Sequence, residues 1–353
     1  MKVPKILFDF NKARSTIERG RRARWWRRTG RNSGTFRYRD ENDKVISDKA
    51  QLDRIRSLVI PPAWKHVRIN PSSGGKIQAV GMDSTGRVQY LYHPIFAARQ
   101  RRKKFAKIER FGALLPKLKE ATNRDIVLEG LPREKVLAVT MRLINSLYFR
   151  VGTDHSARHY KTFGITTLQK RHLTRGAKGK LQFDFVGKSH IEHRKVIVDE
   201  ELSQIMDELL SIKKGRKLFQ YIDEAGGIRP ITAAQINSYI KAATAPEFSA
   251  KDFRTWGGTV LAAAELALAG KAESEAETKK KIVAVVKRVA DELGNTPTVC
   301  RGSYIHPTVL DAYCAGITID EFRPRNERRI RRKAEDLEPE EKALIRLLRS
   351  FGK

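Results

Sequence analysis

Leu131-Pro-Arg-Glu-Lys135, continued by Val136, Leu137, Val139, Leu143, Ile144 and Leu147 and then by Tyr148-Phe-Arg-Val-Gly152, is the stretch that decides the fold. Its apolar residues recur at three- and four-residue intervals, the period of one helix face. Pro132 stands at the helix start and Glu134 in the first turn, where each is favoured. Further helical patterns follow at 203–211, 234–243, 259–269 and 279–293, and an apolar-spaced segment closes the chain at 343–351. Between 164 and 198 the texture changes. Thr166-Thr-Leu168, Leu181-Gln-Phe-Asp-Phe-Val186 and Arg194-Lys-Val-Ile-Val198 read as strands, with glycine turns at Gly176-Ala-Lys-Gly179 and Gly187-Lys-Ser189. The helices dominate this part.

Upstream the texture is different again. Over 35–94, Lys76-Ile-Gln-Ala-Val80 and Arg87-Val-Gln-Tyr-Leu-Tyr92 flank Asp83-Ser-Thr-Gly86, a hairpin pattern, and Pro61-Pro62 and Ser72-Ser-Gly-Gly75 mark turns. The fold class expected is α+β. A small strand-rich domain at 35–94 and a basic linker at 95–106 precede a larger, mostly helical domain at 107–322. A basic arm at 1–34 and a charged extension with a helix at 323–353 complete the chain. There is no internal repeat.

The chain has 353 residues, with 71 Lys and Arg against 40 Asp and Glu, a net charge of +31. Such an excess repels itself and calls for a polyanion, nucleic acid first and an anionic membrane surface second. The 40% of hydrophobic residues suffices for packed cores and excludes a wholly disordered basic protein. No apolar run approaches the roughly 18 residues of a membrane span. Lys2, Lys5 and Asp9 interrupt the first ten residues, so a secretory signal is not expected. Two cysteines, Cys300 and Cys314, exclude a disulfide scaffold and fit a reducing, cytoplasmic setting. The run from Arg14 to Arg31 reads as a flexible cationic arm. In it Arg24, Arg27 and Arg28 are candidate phosphate contacts, and Trp25 and Trp26 either stack on bases or cover the next domain. The basic run at 328–333 reads as a solvated linker.

Several attractive signals fail. Gly187-Lys188-Ser189 lacks the glycine five positions upstream that a phosphate-cradling loop needs, so no nucleotide site is expected. His155 with His159, and His190 with His193, have ligand-like spacing. No Glu follows His155 as a metalloprotease helix would require and no cysteine is near either pair, so no metal is expected and structural or DNA-facing roles are favoured. Cys300 has no partner arrangement that would make it a nucleophile. Tyr313, in Leu310-Asp-Ala-Tyr-Cys314, reads as a helical core position.

What remains is a series of cations ending in a tyrosine: Arg150, Lys188 in a hairpin turn, Arg254 in Lys251-Asp-Phe-Arg-Thr-Trp256, then Asn295 and Tyr304. Each alone is unremarkable. Their order and contexts, together with Ile60-Pro-Pro-Ala-Trp64, Gln89-Tyr-Leu-Tyr-His93, Gly164-Ile-Thr-Thr-Leu168, Phe185-Val-Gly-Lys188, Leu218-Phe-Gln-Tyr221, Gly294-Asn-Thr-Pro297 and Tyr304-Ile-His-Pro307, resemble the poxvirus-like type IB DNA topoisomerases in their bacterial form. The resemblance runs from about Gly34 to Tyr313.

It implies a tyrosine-recombinase-like catalytic domain that closes with the strand-rich domain as a clamp on duplex DNA. It implies that Tyr304 attacks a phosphodiester to give a 3′-phosphotyrosine, relaxing supercoils without ATP, metal or any cofactor. Arg150 and Arg254 have planar forks suited to a pentavalent phosphate. Lys188 takes the general-acid role by resemblance, and Gln89, Tyr90 and Tyr92 match DNA-contacting positions. Asn295 stands where poxviral members carry His, so it can still donate a hydrogen bond but not a full charge. The implied protein is a nucleoid-associated monomer, with no membrane or nucleotide partner. A tyrosine recombinase shares this chemistry but usually carries His-x-x-Arg where Lys251-Asp-Phe-Arg254 stands here. An inactive DNA-packaging protein would have no need of the intact set.

Overall fold

The computed structural model describes residues 10–323 and 336–351. It divides between Lys103 and Lys104 into two compact units, and the division falls inside one long helix.

In the first unit the elements run α1 (Phe10–Ile17), β1 (Trp26–Thr29), β2 (Arg37–Arg39), α2 (Lys49–Ser57), β3 (Lys65–Ile69), β4 (Ile77–Met82) and β5 (Val88–Tyr92). The strands form one antiparallel sheet in the order β2-β1-β3-β4-β5. The β4–β5 hairpin is the one expected: the Asp83 carboxylate accepts the N–H groups of Thr85 and Arg87 and so closes the turn. Successive strand residues face opposite ways. Ala79 therefore packs with Trp26, Ile55, Val67 and Ile69 on the α2 side, and Val80 with Ala13 and Ile17 of α1 on the other.

This sheet corrects the expectation of a flexible arm over 14–31. Residues 10–34 contribute a helix and an interior strand, and residues 1–9 lie outside the described part. The charge run is tolerated because its guanidiniums have work inside the unit. Arg28 donates to the carbonyls of Pro61, Pro62 and Trp64 and lies 4.1 Å over the Phe36 ring, and Arg27 pairs with Asp43. Trp26 is buried, its indole N–H donating to Glu41 at 3.1 Å, so it covers this domain rather than offering a stacking face.

The stretch expected as a linker at 95–106 is helical, part of α3 (Pro94–Ile126). The second unit continues with α4 (Arg133–Leu147), α5 (Asp154–His159), β6 (Leu173–Arg175), β7 (Lys180–Val186), β8 (Glu192–Val198), α6 (Glu200–Ser211), β9 (Gln220–Ile222), β10 (Ile228–Pro230), α7 (Ala233–Ala243), α8 (Ala250–Ala269), α9 (Glu275–Leu293), α10 (Pro297–Ser303), α11 (Pro307–Cys314) and α12 (Pro339–Phe351). Strands β6, β7 and β8 form a small antiparallel sheet. Thr166-Thr-Leu168 is not a strand: 165–167 form a buried 3₁₀ turn closed by Thr167 Oγ1 donating to the Gly164 carbonyl.

Helix α8 runs through the centre of this core. Phe253, Thr255, Trp256, Thr259 and Ala262 are all buried, and such all-round burial marks an interior helix. Two glycines make its close contacts possible: a Cβ on Gly112 of α3 would meet the Trp256 ring, and one on Gly257 the Tyr148 ring. The terminal helix α12 seals the far side. Glu341, itself buried, accepts the Trp256 indole N–H at 2.9 Å. The basic run at 328–333 lies outside the described residues.

Candidate active site

Each catalytic candidate stands at the end of an element, where backbone geometry aims it. Helix α4 terminates at Tyr148, which takes a left-handed conformation (φ 54°) and reverses the chain into Phe149 and Arg150. Helix α9 terminates at Gly294 (φ 58°), where the left-handed cap needs a glycine, and Asn295 follows. Helix α10 terminates at Tyr304, whose N–H donates to the Cys300 carbonyl. Arg254 lies in the first turns of α8, which is capped by Ser249 and Asp252.

These ends meet. Arg150 donates to the Asn295 side-chain oxygen at 2.6 Å and to the Gly294 carbonyl at 3.1 Å. Arg254, buried to 5% exposure, donates to the carbonyls that end two helices, Tyr148 and Leu293, at 2.6 Å each. Its guanidinium lies 5.2 Å from the Tyr304 ring centre, and its Nε is buried without a hydrogen-bond partner. Burial, and then the nearby Arg150 charge, push the Arg254 pKa down to about 10, while Tyr304 acts in the opposite direction. Arg254 is thus still a cation at neutral pH. Burial likewise lowers Arg150, again opposed by Tyr304.

Lys188 is exposed, in the turn between β7 and β8, and borders the same small cleft as Arg150, His193, Lys195 and Arg254. Asn295 presents its oxygen to Arg150, so its amide N–H₂ is the end left to donate elsewhere; one contact of that nitrogen is a long 3.4 Å approach to the Leu293 carbonyl. The structure thus gathers Tyr304, Arg150, Arg254, Asn295 and Lys188 from five separate segments. Tyr313 stands apart in α11, its hydroxyl donating to the Gly270 carbonyl at 2.7 Å. Cys300 is buried, which pushes its thiol up to about 11 and leaves it inert at neutral pH.

Residues 95–324 match the sequence profile of the eukaryotic DNA topoisomerase I catalytic core, well over half of the chain. The chain belongs to the type IB DNA topoisomerase family. Residues 35–83 separately match the bacterial DNA topoisomerase IB N-terminal domain. DNA topoisomerase 1B of Acanthamoeba polyphaga mimivirus is 30% identical over 285 residues, covering 79% of this chain and 84% of the viral protein. The DNA topoisomerase I of monkeypox virus is 23% identical over 235 residues, 66% of this chain and 71% of its own length. That of rabbit fibroma virus is 26% identical over 244 residues, 66% and 70% of the two chains. As a type IB topoisomerase the chain is an enzyme that acts on DNA.

Around this topoisomerase site stand residues that the sequence did not bring forward. Lys104 donates to the Ser303 carbonyl, and its ammonium lies 5.4 Å from the Tyr304 ring centre. Thr259 Oγ1 lies 3.2 Å from the Tyr304 carbonyl oxygen, and a Cβ on Gly258 would stand 2.8 Å from the same atom. The signal was present: Gly257-Gly258 interrupts an otherwise strong helical pattern, and paired helix glycines mark close approach. His193 is also part of the site.

Of the residues expected on DNA, all in the first unit, Tyr92 and Arg24 are exposed and Tyr90 packs partly against the α1-side cluster. Gln89 donates to the Asp83 carboxylate at 2.8 Å. Among the described residues no three His, Cys, Asp or Glu side chains are grouped to hold a metal ion, and no helix is long and apolar enough to cross a membrane.

Proposed function

We propose that the enzyme relaxes supercoiled duplex DNA by cutting one strand transiently through a 3′-phosphotyrosine bond at Tyr304, without ATP or metal. The observation that carries this reading is the convergence of two guanidiniums on one phenol, each anchored by backbone carbonyls at helix ends. A neutral phenol is a weak nucleophile, and adjacent cations stabilise the negative charge on the oxygen as it attacks. Negative charge then grows on the non-bridging oxygens. Arg150 and Arg254 are preorganised to receive it, and the buried Nε of Arg254 is a donor that a phosphate oxygen would satisfy. Asn295 offers its amide to the same oxygens. As the bond to the 5′-oxygen breaks, Lys188 gives that oxygen its proton.

One phosphodiester replaces another, so bond energy is conserved and no nucleotide is consumed. Arginine and lysine supply the charge that a divalent ion would otherwise bring. Rotation about the intact strand releases torsion, and the 5′-hydroxyl reverses the attack. In this reading both units bind duplex DNA. Exposed cations of the first unit, Arg24 among them, add salt-sensitive phosphate contacts, and the exposed Tyr92 is a further contact to DNA. The enzyme acts as a monomer in the nucleoid.

The test is negatively supercoiled plasmid incubated with the protein in EDTA without ATP, beside Tyr304→Phe. Relaxation by the wild type alone supports the proposal. Plasmid binding without relaxation by either protein overturns it, leaving a recombinase or a packaging protein.

A further inference from the structure

We propose that His193 is a positioning residue, which docks the Lys188 hairpin against the Asn295 loop and thereby sets where the Lys188 ammonium sits. This rests on the reading of Lys188 as proton donor.

His193 lies on β8 directly across from Phe185 on β7, and the two rings stack at 5.1 Å with 25° between their planes. The imidazole occupies the space that two glycines leave. A Cβ on Gly187, the residue before Lys188, would stand 2.5 Å from His193 Cδ2, and one on Gly294, the residue before Asn295, 2.3 Å from Cε1. One ring thus touches the backbone preceding both polar groups. Two residues along the same strand face, Lys195 donates to the Glu292 carbonyl at 2.7 Å and pairs with the Glu292 carboxylate. The strand is therefore pinned to the end of α9 at two successive inward positions.

The hairpin tip needs such support. Ser189 and His190 take two successive positive φ values (64° and 58°), a region uncommon for residues other than glycine, so the turn does not hold Lys188 by backbone preference alone. The groups facing the imidazole are Arg150 before α5, Lys188 on its own hairpin, Lys195 on its own strand, Arg254 on α8 and Glu292 on α9. Four of the five are cations, and the ring fits among them only when neutral. Burial, then Arg150, Lys195 and Arg254, hold its pKa down to about 4, so at neutral pH it contributes shape and contact rather than charge.

The experiment uses the full-length chain and a labelled duplex on which the wild type's cleavage position has been mapped. The duplex is prepared with either oxygen or sulfur as the bridging 5′-atom at that position. A thiolate leaves without being protonated, so a defect that acts through Lys188 disappears on the sulfur ester. His193→Ala is expected to cleave the oxygen ester at least ~10-fold slower than wild type, part of the ~10²–10⁴-fold that a general acid supplies. On the sulfur ester it is expected to match the wild type, with duplex binding unchanged. Lys195→Met, which leaves the imidazole in place, is expected to show a smaller loss with the same rescue, and it carries the test if His193→Ala does not fold. Wild-type rates for both variants on the oxygen ester, or equal losses on the two esters, overturn the docking role. Lys188→Ala is the reference. If its own loss persists on sulfur, the proton-donor reading fails and the proposal falls with it; if Lys188→Ala is rescued and His193→Ala is not, only the docking is wrong.

Discussion

The hydroxyl of Thr259 lies 3.2 Å from the carbonyl oxygen of Tyr304 and accepts the N–H of His306 at 3.1 Å. One side chain of α8, little more than a turn beyond Arg254, thus holds the N–H that follows Ile305 and abuts the carbonyl that precedes it, while its own proton has the nearer Thr255 carbonyl at 2.7 Å. Tyr304 and Arg254 are therefore referenced to the same rigid helix. Thr259→Val keeps the shape and removes the hydroxyl, leaving the partly buried His306 N–H unpaired. A stability loss of about 1–3 kcal/mol follows. Single-turnover cleavage is expected to slow about 10-fold from misplacement alone, with DNA binding retained. Rates and a thermal melt on one preparation check both.

Gly258→Ala tests the same surface by addition. Its new methyl would stand 2.8 Å from the Tyr304 carbonyl oxygen and 3.2 Å from the Tyr304 Cβ. Contacts that short force the tyrosine segment outward. A plasmid-relaxation assay is expected to show a deep loss, while a gel shift shows near wild-type affinity. Wild-type relaxation would mean that the segment yields without cost.

Arg254→Lys is not conservative. The fork spans the Tyr148 and Leu293 carbonyls with separate nitrogens, which one ammonium cannot do at full quality. Loss of a preorganised donor to the developing phosphate charge costs on the order of 10²–10³ in rate. The Kd for duplex is expected to change little, since this cation lies buried.

Two histidines make the protein acid-sensitive. His172 Nδ1 accepts the Gln169 N–H, which needs an unprotonated nitrogen, and His193 sits among cations. Burial first, then neighbouring positive charge, lowers both to about 4 from the ordinary 6.5. The unfolded chain then takes up the protons first. The stability from the neutral rings is fully present above pH 6.5 and is lost as pH falls toward 4. His172→Gln, with an amide oxygen to accept the same N–H, is expected to show a smaller fall in Tm between pH 6.5 and 4.5 than the wild type.

Much of this was legible because it is local. The helical period after Pro132 and the glycine that ends α9 are written within a few residues of where they act. The order of Arg150, Lys188, Arg254, Asn295 and Tyr304 is likewise a property of the chain itself. What could not be read is who meets whom. Nothing near Arg150 tells that it binds the residue 145 positions later. Tyr148 gives no local sign of a left-handed cap, nor of the ring contact with Gly257, more than a hundred residues on, that goes with it. The arginine run misled for the opposite reason. Charge density reads as solvation, but Arg28 spends its donors on carbonyls that only the folded sheet brings together.

The hydrogen bond from Trp256 to Glu341 gives the enzyme an optical gauge of its own. The chain has four tryptophans, and Trp25, Trp26 and Trp64 all belong to the first unit, so Trp256 is the sole indole of the catalytic unit. Its partner sits on α12, beyond residue 324 where the family profile ends. An indole that loses a buried carboxylate and meets water shifts its emission. Detachment of α12 would thus be visible as an emission shift of the indole two positions from Arg254, with no label attached.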